Sequence, residues 1–110
     1  MDGSESGIAM SEEADWLAEL EDWYAKNCNG DWEHQFGVRI ETIDNPGWRV
    51  SGDIEDTVAQ GRILERVAEE TDCGWMQYWS DGVRLQAACS PRCLSSTIKV
   101  LMIQLARWAD

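Results

Sequence analysis

The sequence predicts an α+β domain: an N-terminal helix, a sheet of four to five mainly antiparallel strands, and a C-terminal helix, with both helices packed on one sheet face. Three observations carry this. Apolar residues recur with a helical period at both ends of the chain and with a period of two in between. Two turn signals, Asp44-Asn45-Pro46-Gly47 and Ser80-Asp81-Gly82, separate the alternating runs. At 110 residues the chain has room for one core. Residues 11–110 therefore read as a single domain behind a small, polar, glycine-containing tail, residues 1–10, expected to be disordered.

Ser11 is a suitable N-cap, and Glu12 and Glu13 put negative charge in the first turn, where the helix dipole favours it. Trp16, Leu17, Leu20, Trp23, Tyr24 and Cys28 then fall on one face of a 3.6-residue period, giving a helix from about Ser11 to Asn27 that Asn29-Gly30 stops. From His34 the period is two: Phe36, Val38, Ile40 and Thr42 alternate with Gly37, Arg39 and Glu41 as in a half-buried strand. Asp44-Asn45-Pro46-Gly47 fits a type II turn into a second strand over residues 48–54, and the pair makes an antiparallel hairpin.

Residues 57–71 fit a helix face through Ile63, Leu64, Val67 and Ala68. They also fit an edge strand with Ile63, Glu65, Val67 and Glu69 on one side; Gly61 weakens a helix and tips the reading slightly to strand. Residues 75–79 and 83–87 are rich in aromatic and branched side chains, with an Asp-Gly hairpin signal between them. Ser90 as N-cap and Pro91 at the first helical position open a last helix whose apolar stripe is Leu94, Ile98, Leu101, Met102, Leu105 and Trp108.

Net charge is −12, and its distribution is uneven. Residues 1–56 hold fifteen acids against three bases (Lys26, Arg39, Arg49), and residues 57–110 hold six of each. Such a field repels phosphate backbones and anionic lipid and attracts a basic protein, so nucleic acid and membranes are not expected partners. The first ten residues lack the basic start and apolar run of an export signal. The four cysteines, Cys28, Cys73, Cys89 and Cys93, accordingly read as reduced thiols of a cytoplasmic protein. Cys89-x3-Cys93 is their closest pair, which is poor spacing for structural zinc.

The segment Gly30-Asp31-Trp32-Glu33-His34 brings two carboxylates and the chain's one histidine together. Strand alternation would send Trp32 and His34 one way and Asp31 and Glu33 the other. There is no second histidine, no EF-hand spacing and no nucleophile motif, so neither a metal, a cofactor nor catalysis is expected there. Cys89-Ser90-Pro91-Arg92-Cys93 has the stronger physical case, because a helix N-terminus stabilises a thiolate; a small sulfurtransferase or redox enzyme using Cys89 or Cys93 is therefore an alternative. Most of the seven tryptophans fall on predicted core faces. Trp32 and Trp48 instead flank acidic turns, the composition of an interface anchor for a basic protein.

Trp23-Tyr24, Cys28-Asn29-Gly30-Asp31-Trp32-Glu33-His34, Phe36-Gly37-Val38, Ile40-Glu41-Thr42-Ile43-Asp44-Asn45-Pro46-Gly47-Trp48, Val50 and the late Trp108 together closely resemble the immunity protein 53 family. The match is dense over residues 16–54 and looser over residues 57–90. The resemblance implies an antitoxin of a bacterial polymorphic-toxin system, one that binds a cognate toxin domain without catalysis. An acidic first half suits a toxin with a basic binding face. Asp31, Trp32, Glu33, His34, Asp44, Asn45 and Trp48, brought together by the helix-strand connection and the Pro-Gly turn, are the candidate toxin-binding residues. A generic acidic adaptor unrelated to toxins is a further alternative.

Overall fold

The computed structural model describes residues 15–109; the expected tail and the Ser11 cap lie outside them. Helix α1 (Trp16–Asn27) leads to a single helical turn α2 (Trp32–Gln35). Five strands follow, β1 (Val38–Ile43), β2 (Gly47–Asp53), β3 (Ile63–Thr71), β4 (Gly74–Asp81) and β5 (Arg84–Cys89), and then helix α3 (Leu94–Trp108). The strands form one sheet in the order β1-β2-β5-β4-β3, antiparallel at every pairing. The predicted α+β arrangement is the one observed.

Both helices lie on one sheet face. Leu20 of α1 and Ile98, Leu101, Met102 and Leu105 of α3 close over Val50, Leu85 and Ala87, with Trp16, Trp23, Val38 and Trp108 at the margin. Burying these side chains is the main favourable contribution to the fold, at roughly 1.5–3 kcal/mol for each large one. A smaller cluster of Met76, Cys89 and Cys93 fills the space near the start of α3. The alternation that places these residues inward places Arg39, Glu41, Arg49, Ser51, Arg84, Gln86, Gln77 and Trp79 on the uncovered face.

Several local expectations change. The Asn45-Pro46 peptide is cis, so proline sits at the third position of the β1–β2 turn, a type VI arrangement and not type II. Gly47 is needed there because the chain runs against β5: a Cβ would collide with the carbonyl oxygen of Cys89. Residues 63–71 are a strand, but a bulge between Leu64 and Val67 breaks the expected shared face. Ile63 pairs with Asp81 on the open side and is 71% exposed, whereas Val67 pairs with Tyr78 on the helix side. Helix α3 begins a turn later than Ser90-Pro91 suggests, with Cys93 as its N-cap. Ser90 is buried, and its hydroxyl accepts the backbone N–H of Trp75 at 2.9 Å.

Not all four cysteines are free thiols. The β3–β4 turn sets Cys73 beside the start of α3, with its Cα 5.3 Å from that of Cys93, and the two form a disulfide. Cys28 and Cys89 are the free ones. No helix among the described residues is long and apolar enough to cross a membrane.

Candidate functional site: a polar cleft on the open sheet face

The Gly30–His34 segment is a capped helical turn, not the start of a strand. Asn29 Oδ1 accepts the backbone N–H groups of Asp31 and Trp32, both at 2.9 Å. The Glu33 carboxylate reaches back to accept the N–H groups of Asn29 and Gly30 at 2.9 and 2.8 Å. This is the reciprocal logic of a capping box, in which each otherwise unpaired donor at a helix start receives an oxygen. Hydrogen bonds from backbone amides, its own first and then those of Asn29 and Gly30, hold the Glu33 carboxyl below the usual carboxylate range. Gly30, with φ at 95°, supplies the left-handed step that ends α1 and admits the new turn.

Trp32 is the anchor of this joint. It is 3% exposed, and its ring meets Trp23 edge-on at 5.9 Å, Tyr24 at 5.9 Å and Phe36 at 6.1 Å. Its indole N–H donates to the Glu55 carbonyl at 2.9 Å, tying α2 to the segment after β2. The ring expected to meet a partner is therefore enclosed by its own chain. Trp48 is half-buried on the helix side, where its N–H donates to the Pro91 carbonyl at 2.8 Å. Asp31, His34, Asp44 and Asn45 are exposed and Glu33 is partly so.

These residues do not converge. Asp31, Glu33 and His34 sit before β1, whereas Asp44, Asn45 and Trp48 sit around its far end. The strand Val38–Ile43 between them spans about 17 Å at about 3.4 Å per residue. The helix-strand connection and the Pro-Gly turn thus mark opposite ends of an edge strand.

The α2 turn instead borders a polar cleft of about 590 Å³ on the open sheet face. Glu33, His34 and Gln35 line one side, and Arg39, Glu41, Arg49, Ser51, Arg84 and Gln86 form the floor. Asp53 holds the corner: one carboxylate oxygen accepts the Gly37 N–H at 2.9 Å and the other accepts Arg84 Nε at 2.9 Å. Arg49 donates to Gln86 Oε1 at 3.1 Å. Further along the face, Arg66 stacks on Trp79, 3.8 Å from the ring centroid, and donates to Gln77 Oε1 at 2.7 Å. The sequence pattern already contained this floor, in the polar positions of the alternating runs and in two of the three bases of the acidic half. The sequence leaves that face to solvent or a partner, and nothing in it shows that α2 borders the face.

The cleft is lined by arginine, glutamine, serine, histidine and carboxylate side chains. Among the described residues, no three His, Cys, Asp or Glu side chains are grouped to hold a metal ion. Cys93 is spent in the disulfide. Cys89 is fully buried, and that burial pushes its thiol pKa up, the opposite of what an active thiolate needs.

The family model described as Immunity protein 53 matches residues 9–106, nearly the whole chain. The chain belongs to the immunity protein 53 family. No match was found among curated proteins or among solved structures. The match runs through α1, the α2 turn, all five strands and most of α3, so membership covers the cleft and the open face along with the residues first singled out.

Proposed function

We propose that this member of the immunity protein 53 family is a non-catalytic antitoxin of a bacterial polymorphic-toxin system. It binds a cognate toxin domain and blocks that domain's action. Family membership over residues 9–106 is the observation that carries the reading. The cleft supports it, because its polar groups suit recognition, and away from the cleft Cys93 is bonded to Cys73 and Cys89 is buried, which leaves neither suited to thiol chemistry. An inhibitor of this kind needs shape and charge complementarity and no reacting group.

The surface that meets the toxin, in this reading, includes Glu33 and His34 at the cleft wall and the exposed Asp31 beside them. An interface of standard size covers about 800 Å² on each partner, a patch roughly 30 Å across. The turn residues Asp44 and Asn45 come within reach of the same footprint from the other end of β1; Trp32 contributes by holding α2 in place and Trp48, on the helix side, by tying β2 to the segment before α3. The acidic excess of residues 1–56 attracts a basic toxin face to the molecule and raises the association rate at low salt. This reading puts the protein in the cytoplasm, although a disulfide such as Cys73–Cys93 is uncommon there.

Co-expression tests the function. Cells making the toxin encoded beside this gene should grow when this chain is also produced, and the two purified proteins should form a complex. Failure of both would end the immunity reading.

A further inference from the structure

The charge on the open sheet face runs against the rest of the molecule. Of the three bases in residues 1–56, Lys26 pairs with Asp22 on α1 at 3.2 Å. The other two, Arg39 and Arg49, are exposed neighbours on the cleft floor. Two of the three cleft carboxylates are committed, both oxygens of Asp53 to Gly37 and Arg84 and both of Glu33 to backbone N–H groups, while the third, Glu41, stands opposite Arg49 across β1 and β2 without reaching ion-pair distance. Among the described residues, Arg39, Arg49 and Arg66 have no carboxylate within ion-pair distance.

These groups form a track. The register sets Arg39 opposite Ser51, Ser51 opposite Gln86 and Gln86 opposite Trp79, on whose ring Arg66 lies. Four strand spacings of about 4.8 Å make this row roughly 19 Å long, the reach of about six extended residues. Guanidinium forks suit planar carboxylates through paired N–H donors, and the hydroxyl and amides between them suit a peptide backbone. A polyphosphate strand would meet the same arginines but has no backbone N–H donors to match the hydroxyl and amide oxygens between them, and the net charge of −12 weakens the binding of either anion, so binding is sought at low salt.

We propose that the open sheet face, from Arg39 across to Arg66, docks an extended protein segment that presents carboxylates. Naming the toxin as the source of that segment rests on the immunity reading; the preference for carboxylates does not. The toxin's contact surface then carries an acidic strand or loop within a basic surround, and its acidic groups meet the arginine floor while its basic groups meet the acidic rim.

The test follows arginine Nε–H and tryptophan indole signals of the full-length isotope-labelled chain by NMR, at low salt. The probes are a hexaglutamate peptide, a hexalysine peptide and a six-nucleotide oligothymidylate. Hexaglutamate should shift the Arg39, Arg49, Arg66 and Trp79 signals saturably, and the exposed double variant R39E/R49E, with an unchanged amide spectrum, should lose at least tenfold in affinity. No saturable shift up to about 5 mM peptide, an equal response to hexalysine, or tighter binding of the oligonucleotide would each overturn the proposal. With the adjacent-gene toxin, R39E/R49E should bind about 100-fold more weakly than wild type. Equal binding by variant and wild type would remove this face from the toxin interface. A wild-type chain that does not bind the toxin refutes the antitoxin reading, while the peptide titration still decides the face's chemistry.

Discussion

Replacing Trp32 with alanine separates the two roles that a tryptophan in an acidic segment could have. The ring is 3% exposed and sits among Trp23, Tyr24 and Phe36, so its removal leaves a cavity where α1, α2 and β1 meet. Truncating a buried tryptophan costs about 3–5 kcal/mol. Loss of the indole donor leaves the Glu55 carbonyl without that partner, adding about 1 kcal/mol. Against a total stability of roughly 5–15 kcal/mol for a small domain, the variant should be near its unfolding threshold. Trp32→Phe retains most of the ring volume and should lose about 1–2 kcal/mol, chiefly from the missing hydrogen bond. Urea unfolding followed by far-ultraviolet circular dichroism, which does not depend on the altered fluorophore, measures both. Trp79→Ala, on the open face, is the comparison and should cost about 1 kcal/mol or less. A Trp32→Ala loss below about 1 kcal/mol, or a larger loss for Trp79→Ala, would refute the assignment of Trp32 to the joint.

Glu33→Gln should flatten the acid side of the stability–pH curve. The folded carboxyl titrates below its unfolded value, so its contribution is full above the unfolded pKa and fades as pH falls toward the folded one; identical acid limbs for variant and wild type in chemical unfolding would contradict the capping role. Gly47→Ala should lose about 1–3 kcal/mol in the same assay, because the new Cβ collides with the Cys89 carbonyl across β2 and β5. In the unreduced chain, thiol titration under denaturing conditions should count two groups, Cys28 and Cys89. In the folded chain Cys89 should resist alkylation at pH 8; rapid native-state modification of Cys89 would restore the thiol-enzyme alternative.

The layer plan was legible because periodicity reports burial directly. Leu20, Val50, Leu85, Ala87, Ile98 and Leu101 are all core residues, and each belongs to an apolar stripe or alternating run. What the period does not report is the path of a short connection. Asp31 to His34 followed a strand pattern for too few residues to reveal the side-chain caps of Asn29 and Glu33 that turn the chain. The same short connection hides the burial of Trp32, which stands among acids in the sequence but is enclosed by Trp23, Tyr24 and Phe36, whereas Trp79 lies on the open face beside Arg66. The Cys73–Cys93 bridge joins residues 20 apart whose approach depends on the β3–β4 turn meeting the start of α3, which sequence spacing does not encode. The arginine floor was visible residue by residue, but its unity depends on the β1-β2-β5-β4-β3 strand order.

Titration calorimetry between the purified chain and the toxin domain encoded beside it, repeated with the toxin's activity as a readout, tests the central claim most directly. Saturable binding that abolishes that activity, stronger at low than at high salt and weakened by charge reversal at the exposed Asp31 and Asp44, is the result predicted. A toxin that neither binds the chain nor loses activity in its presence would contradict the account.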